Sequence, residues 1–151
     1  LGFFALLAAA CGPPGGGGTA APAPAQPAWD RWPDQWLVVN FWAEWCGPCR
    51  EEVPELNRLD AERDDVTVLG INFDRPPEPE VRRQAQALGI EFPLLIEVGA
   101  EAVGVETPDV LPTTYLLSPE RRVVARLRGP QNLEDLTAAL RAAQAAATGA
   151  D

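Results

Sequence analysis

The sequence contains no histidine, and this absence excludes several kinds of chemistry. Serine–histidine and cysteine–histidine catalysis need an imidazole as the base, and imidazole is also the commonest metal ligand. Positive charge is scarce as well, because 12 basic residues, all of them arginine, stand against 22 acidic ones and leave a net charge of −10. A nucleic-acid backbone requires a basic protein face, so this charge argues against a nucleic-acid partner. The chemistry must therefore come from cysteine, carboxylate or backbone groups.

Cysteine is also rare, with only three residues in a chain of 151: Cys11, Cys46 and Cys49. A chain of this length supports one compact domain and a tail. An odd number of cysteines indicates that one of them has a separate task. Cys46 and Cys49 form a Cys-x-x-Cys pair, which leaves Cys11 as the separate residue.

Residues 1–10 form an apolar run that ends in three alanines directly before Cys11. The run is too short for a bilayer, which needs about 20 apolar residues, and it has the length of the apolar region of a signal peptide. The pattern resembles the end of a bacterial lipoprotein signal and predicts a lipid on Cys11. The alternative is a core helix or a disordered leader that carries a free cysteine.

Residues 12–28 contain almost only glycine, proline and alanine. Such a segment has nothing to bury and is predicted to be a disordered linker. The predicted organisation is therefore a signal-peptide remnant over residues 1–10, a lipidated cysteine and linker over 11–28, and one folded domain over 29–151.

The rest of the chain alternates between short apolar runs and amphipathic segments. Strands are predicted over residues 36–41, 66–73, 92–97, 113–117 and 123–127. Helices are predicted from the cysteine pair to about residue 63, over 79–88 and over 133–147, the last with Asn132 as its N-cap. This order predicts an α/β fold with a mostly parallel central sheet, an antiparallel edge hairpin and helices on both faces.

The Cys46-Gly47-Pro48-Cys49 segment lies between a predicted strand and a predicted helix. A cysteine at a helix N-terminus is close to unpaired backbone N–H groups and to the positive end of the helix dipole, which lower the pKa of its thiol. Cys46 is therefore predicted to be an exposed nucleophile, and Cys49, one turn along, to be the thiol that resolves a mixed disulfide. Pro48 fits the first helical turn, where its missing N–H costs nothing.

Two other uses of the cysteine pair compete with redox exchange. A zinc site needs about four ligands, and the chain has neither histidine nor a second cysteine pair. A static disulfide across two intervening residues closes so short a loop that it constrains the unfolded chain little. We therefore predict that the Cys46–Cys49 disulfide is the redox group, with no metal and no further cofactor.

The chain from about residue 36 to residue 147 resembles the TlpA-like branch of the thioredoxin superfamily. The resemblance rests on VVNFWAEWCGPCREEVPEL at residues 38–56, VLGINFD at 68–74 and VLPTTYLLSPERRVVARLRG at 110–129. It implies a thioredoxin-like fold in which a cis-proline, Pro112, packs beside the cysteine pair. From the residues alone, a trans-proline that opens an edge strand is the alternative. The hairpin that the family has before its first core strand is nearly absent, since only residues 29–35 are available for it.

The resemblance also implies which residues meet a substrate. Trp45, directly before the nucleophile, and the Gly47-Pro48 dipeptide are expected to contact it. The alternative for Trp45 is that it is a core or rim residue, since aromatic side chains more often serve packing than function. The backbone of Leu111, beside Pro112, is expected to pair with an extended substrate chain in the manner of an added strand.

Asn40 stands where many thioredoxins have a buried acid that handles the proton of the second cysteine. Glu52, three residues after Cys49 on the predicted helix, is close enough to replace that acid. The alternative is that Glu52 is a solvated charge beside Glu51. Glu44 is a weaker candidate for the same task.

For a member of this branch, the implied function is thiol–disulfide exchange that reduces oxidised envelope proteins or peptides. The implied partners are those disulfides, a transmembrane electron donor and the membrane that holds the lipid, at the periplasmic side of a bacterial envelope. Two other functions stay open. One is a peroxiredoxin-like thiol peroxidase, although that family's proline and threonine are missing from residues 41–45. The other is a non-enzymatic, lipid-anchored module that binds peptides.

Overall fold

The computed structural model describes residues 28–96 and 98–149. The predictions for residues 1–10, for Cys11 and for the linker as far as residue 27 lie outside these residues. Within the described ranges, no helix combines the length and the apolar character needed to cross a bilayer.

Five strands, three α-helices and two short 3-10 helices make up most of the described chain. The strands are β1 (Trp36–Trp42), β2 (Val66–Asn72), β3 (Leu94–Leu95), β4 (Thr113–Leu117) and β5 (Val123–Arg128). The α-helices are α1 (Gly47–Glu62), α2 (Glu78–Leu88) and α3 (Leu133–Thr148), and the 3-10 helices are Ala28–Arg31 and Ala100–Val103. The bounds agree with the predicted ones to within a residue or so, except that β3 is much shorter than the strand predicted over residues 92–97.

Local sequence signals explain where two of the helices begin or end. Asn132 caps α3 as predicted, because its side-chain oxygen accepts a hydrogen bond from the backbone N–H of Asp135 (2.9 Å). α2 ends at Gly89, whose φ of 75° lies in the left-handed region that suits a residue without a Cβ.

β1 lies at the centre of the sheet, whose strand order is β3-β2-β1-β4-β5. β1 is parallel to β2 and antiparallel to β4, β2 is parallel to β3, and β4 is antiparallel to β5. The hairpin of β4 and β5 lies at the edge as predicted, but the sheet is evenly mixed where a mostly parallel one was predicted. The alternation of strands and helices does not reveal the direction of β4, because the described chain between β3 and β4 contains no α-helix.

All three α-helices lie on one face of the sheet. Trp36 and Val38 of β1 point to this face and pack against leucines of α1 and α3. Trp42, farther along the same face of β1, packs against α2. Since successive strand residues point to opposite faces, the intervening residues of β1 lie on the other side.

The second face is covered by the two 3-10 helices. No α-helix of the described residues contributes to its apolar cluster, which corrects the prediction of helices on both faces. The cluster includes Leu37, Val39, Phe41, Trp29, Trp32, Ala100 and Val103. The physical reason is length, because Gly99 and Gly104 flank only four helical residues and Gly104 ends the turn with a φ of 64°.

Arg121 holds the segment before β1 against this second face. It lies in the turn between β4 and β5, and its guanidinium donates hydrogen bonds to the backbone carbonyl oxygens of Gln35 (2.9 Å), Trp29 (3.3 Å) and Trp32. Residues 29–35 thus cover the sheet where the hairpin of the resembling family is missing.

Replacing Arg121 with alanine is expected to lower the free energy of unfolding by about 2 kcal/mol, the scale of hydrogen bonds from a charged donor. Urea denaturation measures the change. Arg122→Ala is the matched control, since this neighbouring exposed arginine pairs with Glu120 on the surface (3.3 Å), and it should change stability by less than about 0.5 kcal/mol. Equal losses in the two variants would contradict the anchoring role of Arg121.

Candidate active site at the end of the central strand

The cysteine pair lies where the central strand leads into the first helix. β1 ends at Trp42, and Cys46 caps α1, with its Sγ atom accepting a hydrogen bond from the backbone N–H of Cys49 (3.2 Å). The two cysteines form a disulfide, with 5.3 Å between their Cα atoms. Pro48 lies in the first turn of α1 as predicted. The N-terminus of α1 therefore faces the sulfur of Cys46, which favours a thiolate there once the disulfide is reduced.

Both cysteines are buried in this disulfide form, whereas the sequence predicted an exposed nucleophile. Cys46 is 4% exposed and Cys49 is 1% exposed. The apolar cluster that contains both cysteines also contains Trp42 of β1, Val53 of α1, and Val81, Ala85 and Leu88 of α2. Access to the sulfur atoms therefore depends on the side chains and loops that surround the pair.

Trp45 is the most exposed large apolar residue beside the pair. It is 67% exposed, and its indole Nε1 donates a hydrogen bond to Oδ2 of Asp74 (2.8 Å), in the loop after β2. Gly47 and Pro48 are exposed as well. The residues expected to contact a substrate on the cysteine side are thus at the surface.

Pro112 lies at the same end of the sheet. In the antiparallel pair of β1 and β4, Thr113 is opposite Phe41, so the residue before β4 lies beside the end of β1. The Leu111–Pro112 peptide bond is cis, as the resemblance implies. Leu111 packs against the apolar cluster that contains the cysteines. Leu111 and Pro112 therefore lie at the same end of the sheet as Trp45, Gly47 and Pro48, which flank the cysteines in the chain.

Two exposed apolar residues near this end of the sheet were not among the predicted site residues. Phe73, directly after β2, is 37% exposed, and Val110, directly before Leu111, is 39% exposed. The backbone N–H of Phe73 donates to the carbonyl oxygen of Trp42 (2.8 Å), which joins the end of β2 to the strand that leads to Cys46. Phe73 ends the strand predicted over residues 66–73, which was the available signal for it, whereas Val110 lies outside every predicted strand.

Glu52 lies one turn after Cys49 on α1 and is 1% exposed, in contrast to the alternative of a solvated charge. Its carboxyl group accepts hydrogen bonds from Nδ2 of Asn40 (2.9 Å), the backbone N–H of Gln131 (3.2 Å) and the hydroxyl of Thr114 (3.5 Å). Nδ2 of Asn40 also donates to the Thr114 hydroxyl (2.9 Å). The sequence pointed to Asn40 and Glu52, but it carried no signal for the contacts of Thr114 and Gln131.

Burial raises the pKa of Glu52 to about 7, because the charged form loses its hydration in the protein interior. The hydrogen bonds from Asn40, Gln131 and Thr114 act in the opposite direction, since they favour the carboxylate. Desolvation is the larger effect. A carboxyl group with a pKa near neutrality can take up and release a proton at pH 7, as a proton acceptor in exchange chemistry must.

Glu44, the weaker candidate for proton transfer, is bound by α2 instead. Its Oε2 accepts a hydrogen bond from Nη2 of Arg83 (3.0 Å). Within residues 28–96 and 98–149, no three cysteine, aspartate or glutamate side chains are grouped as the ligands of a metal ion would be.

A model of the AhpC/TSA family matches residues 28–126, which include the cysteine pair, Glu52 and Pro112. Among curated proteins, the thiol-disulfide oxidoreductase ResA of Bacillus cereus is 30% identical over 102 residues, which cover 66% of this chain and 58% of ResA. The chain thus spans less than two thirds of the length of that relative.

Solved structures share the fold. A DsbF homologue from Corynebacterium diphtheriae superposes with a TM-score of 0.65 at 26% identity, over 76% of this chain and 75% of that one. A secreted thiol-disulfide isomerase from Corynebacterium glutamicum superposes with a TM-score of 0.62 at 25% identity, over 73% of this chain and 71% of that one. The thioredoxin-like α/β fold that the resemblance implies is thereby confirmed.

The raised pKa of Glu52 predicts how stability depends on pH. The pKa is 4.5 for an ordinary glutamate and about 7 in the folded protein, so between these values the folded state holds a proton that the unfolded state has lost. The free energy of unfolding should therefore fall as pH rises from 4.5 through 7, by about 3 kcal/mol in total.

Urea denaturation at pH 5 and pH 8 measures this fall. Glu52→Gln is neutral at both pH values and should remove the contribution, while Glu51→Gln, an exposed neighbour on α1, should keep it. The same pH dependence in the wild type and in E52Q would show that Glu52 does not titrate as described.

Proposed function

The chain belongs to the AhpC/TSA family, and from this membership and the geometry of its cysteine pair we propose that it is a thiol–disulfide oxidoreductase that reduces disulfides. The observation that carries the proposal is the Cys46–Cys49 disulfide at the N-terminus of α1, with the carboxyl group of Glu52 buried one turn beyond it. One helix thus supplies a nucleophile, a resolving thiol and a proton acceptor. The name of the relative ResA, a thiol-disulfide oxidoreductase, supports the same chemistry.

In the first step, the dithiol form of the protein attacks a substrate disulfide. The thiolate of Cys46, favoured by the helix N-terminus, bonds to one substrate sulfur, and the other substrate sulfur leaves as a thiolate and takes up a proton. The product is a mixed disulfide between Cys46 and the substrate.

In the second step, Cys49 resolves the mixed disulfide. The thiol of Cys49 transfers its proton to the carboxylate of Glu52, and the resulting thiolate attacks the Sγ atom of Cys46. The Cys46–Cys49 disulfide forms and the second substrate sulfur leaves as a thiolate, so two electrons have passed from the protein to the substrate. The structure corresponds to this oxidised product.

The apolar rim at the end of the sheet suits a polypeptide substrate. It comprises Trp45, Phe73, Val110 and Leu111, of which the first three are exposed. A peptide laid along Leu111 and Pro112 would have its disulfide close to Cys46, and the backbone of Leu111 could pair with it as an added strand does.

We also propose the TlpA-like branch, a reducing direction and a place in the bacterial envelope. The Gly47-Pro48 dipeptide supports reduction, and the apolar run before Cys11 supports a lipid anchor that faces the periplasm. The Corynebacterium glutamicum relative is described as secreted, which agrees with such a place. Oxidised envelope proteins would then be the substrates, and a transmembrane donor would return electrons to the cysteine pair.

A trapping experiment tests the proposed roles of the cysteines. Cys49→Ser lacks the resolving thiol, so Cys46 should remain joined to an oxidised substrate such as insulin in a mixed disulfide, seen by mass spectrometry. Cys46→Ser lacks the nucleophile and should trap nothing.

Other results of the same assays would favour a peptide-binding module or a thiol peroxidase. A wild-type protein that neither reduces insulin nor yields a trapped adduct in the C49S form contradicts the oxidoreductase and leaves a peptide-binding module. Consumption of hydrogen peroxide at the wild-type rate by C49S would instead indicate a thiol peroxidase, whose nucleophile needs no resolving thiol from this position.

The role of Glu52 predicts a defect in the second step alone. Glu52→Gln should slow release of the substrate from the mixed disulfide by about a hundredfold, the usual scale of a general base. Single-turnover insulin reduction, quenched and resolved by mass spectrometry, should show the mixed disulfide accumulating. Glu51→Gln should behave as the wild type, and equal rates for E52Q and E51Q would remove Glu52 from the mechanism.

A further inference from the structure

We infer that α2 braces the exposed indole of Trp45 through a chain of hydrogen bonds, which the peptide bond between Glu44 and Trp45 closes into a ring, and that Arg83 is the positioning residue of this ring. The inference deepens the proposed function, on which it rests, by naming what shapes the substrate surface beside Cys46. The ring contains seven residues: Trp45, Asp74, Asn72, Gln84, Glu80, Arg83 and Glu44.

The ring begins at the indole itself. Trp45 is 67% exposed, and a side chain with so few packing contacts would ordinarily sample several rotamers. Its Nε1 instead donates to the carboxylate of Asp74 at 2.8 Å. Because the acceptor is charged, this hydrogen bond is stronger than one between neutral groups.

The buried side-chain amide of Asn72 connects Asp74 to α2. Asn72, the last residue of β2, is 3% exposed. Its Oδ1 accepts the backbone N–H of Asp74 (2.9 Å), and its Nδ2 donates to Oε1 of Gln84 on α2 (2.8 Å). Gln84 in turn donates to Oε1 of Glu80, one turn earlier (2.9 Å).

Arg83 returns the ring to the loop that carries the indole. Its Nε and Nη2 donate to the two carboxylate oxygens of Glu80 (2.9 and 2.6 Å), and Nη2 also donates to Oε2 of Glu44 (3.0 Å). Glu44 is covalently joined to Trp45. Hydrogen bonds from Arg83 and then from Gln84 lower the pKa of Glu80 to about 2, so Glu80 remains a charged acceptor over the working pH range.

The position of α2 is fixed by packing, because the helix face opposite the ring residues is buried. Val81, Ala85 and Leu88, at the spacing of one helical face, pack with Trp42 in the cluster that contains the cysteines. The apolar face of α2 therefore belongs to the cluster that contains the cysteine pair, and its polar face carries Glu80, Arg83 and Gln84 of the ring.

A braced indole lowers the cost of binding a polypeptide. Fixing a rotamer-rich side chain on binding costs about 0.5–1.5 kcal/mol, and this cost is removed when the side chain is already fixed. The indole of Trp45 then acts as a preformed wall for the apolar side chains that flank a substrate disulfide. Loss of the brace should raise KM for a protein substrate and leave kcat nearly unchanged.

A pair of neighbouring arginines on α2 tests the inference. Arg83→Ala opens the ring, whereas Arg82→Ala removes an arginine of similar exposure that pairs with Glu78 on its own helix (2.6 Å). With insulin as the substrate, R83A should raise KM about twofold to fivefold, the range expected from an exposed ion pair. R82A should retain the KM of the wild type.

A second pair of variants addresses the acceptor of the indole. Asp74→Ala removes the hydrogen bond to Trp45 and should raise KM about threefold to tenfold. Asp74→Asn keeps a side-chain oxygen that can accept from the indole N–H, so it should restore most of the wild-type KM. Such a rescue is not expected if the aspartate acts only through its charge.

The position of the indole can also be measured without activity. The Trp45 indole N–H signal, identified in ¹H–¹⁵N spectra by its absence in Trp45→Phe, should exchange with water about twofold to fivefold faster in R83A than in R82A. If the indole N–H exchanges at the same rate and KM is the same in R82A and R83A, the inference about Arg83 is wrong. Insulin reduction by the wild type would still support the proposed function in that case. Absence of insulin reduction by the wild type would overturn the proposed function and the substrate wall, and the exchange rates would still decide whether Arg83 holds the indole.

Discussion

The arrangement of the site depends on the pairing of β1 with neighbours that run in opposite directions. Every residue of β1 is buried, with β2 parallel on one side and β4 antiparallel on the other. The C-terminal ends of β1 and β2 and the N-terminal end of β4 therefore lie side by side at one end of the sheet. Cys46, Asp74 and Pro112, which lie far apart in the chain, become neighbours for this reason. A register shift of one residue would turn every side chain of β1 to the opposite face.

The same register places a polar side chain inside the sheet. Asn40 pairs with Thr114 across β1 and β4, on the face that receives α1. A buried amide needs partners, and the carboxyl group of Glu52 and the hydroxyl of Thr114 provide them. Because Asn40 is neutral, its amide donates a hydrogen bond to the carboxylate of Glu52. A second buried carboxylate at this position would repel that of Glu52. The pKa of Glu52 near neutrality is thus set by burial opposed by hydrogen bonds.

Local features of the chain were predictable from the sequence, and contacts between distant segments were not. The apolar runs and Asn132 located most strands and the start of α3, since periodicity and capping are local properties. The position of the Cys-x-x-Cys pair between a predicted strand and a predicted helix likewise placed Cys46 at a helix N-terminus. The burial of Cys46 was missed because it depends on packing in one apolar cluster with residues far away in the chain, such as Val81 and Ala85 of α2. Arg121 was missed because no pattern indicates which distant carbonyl groups a guanidinium will bind.

Two groups of polar residues lie near the cysteine pair: Glu52 with its hydrogen-bond partners, and the ring through Arg83. Their different exposure to solvent determines how strongly their charges interact. The carboxyl group of Glu52 is enclosed by protein, where the loss of hydration changes its protonation strongly. The ion pairs of Arg83 with Glu80 and Glu44 are exposed to water, where charge interactions are screened and worth little in free energy. Interactions of this strength change the population of a side-chain orientation only a few-fold, which is the size of the change expected for the indole in R83A. In the proposed function, proton transfer and substrate shape therefore belong to separate groups of residues around one disulfide, since the hydrogen-bond partners of Glu52 are not members of the ring through Arg83.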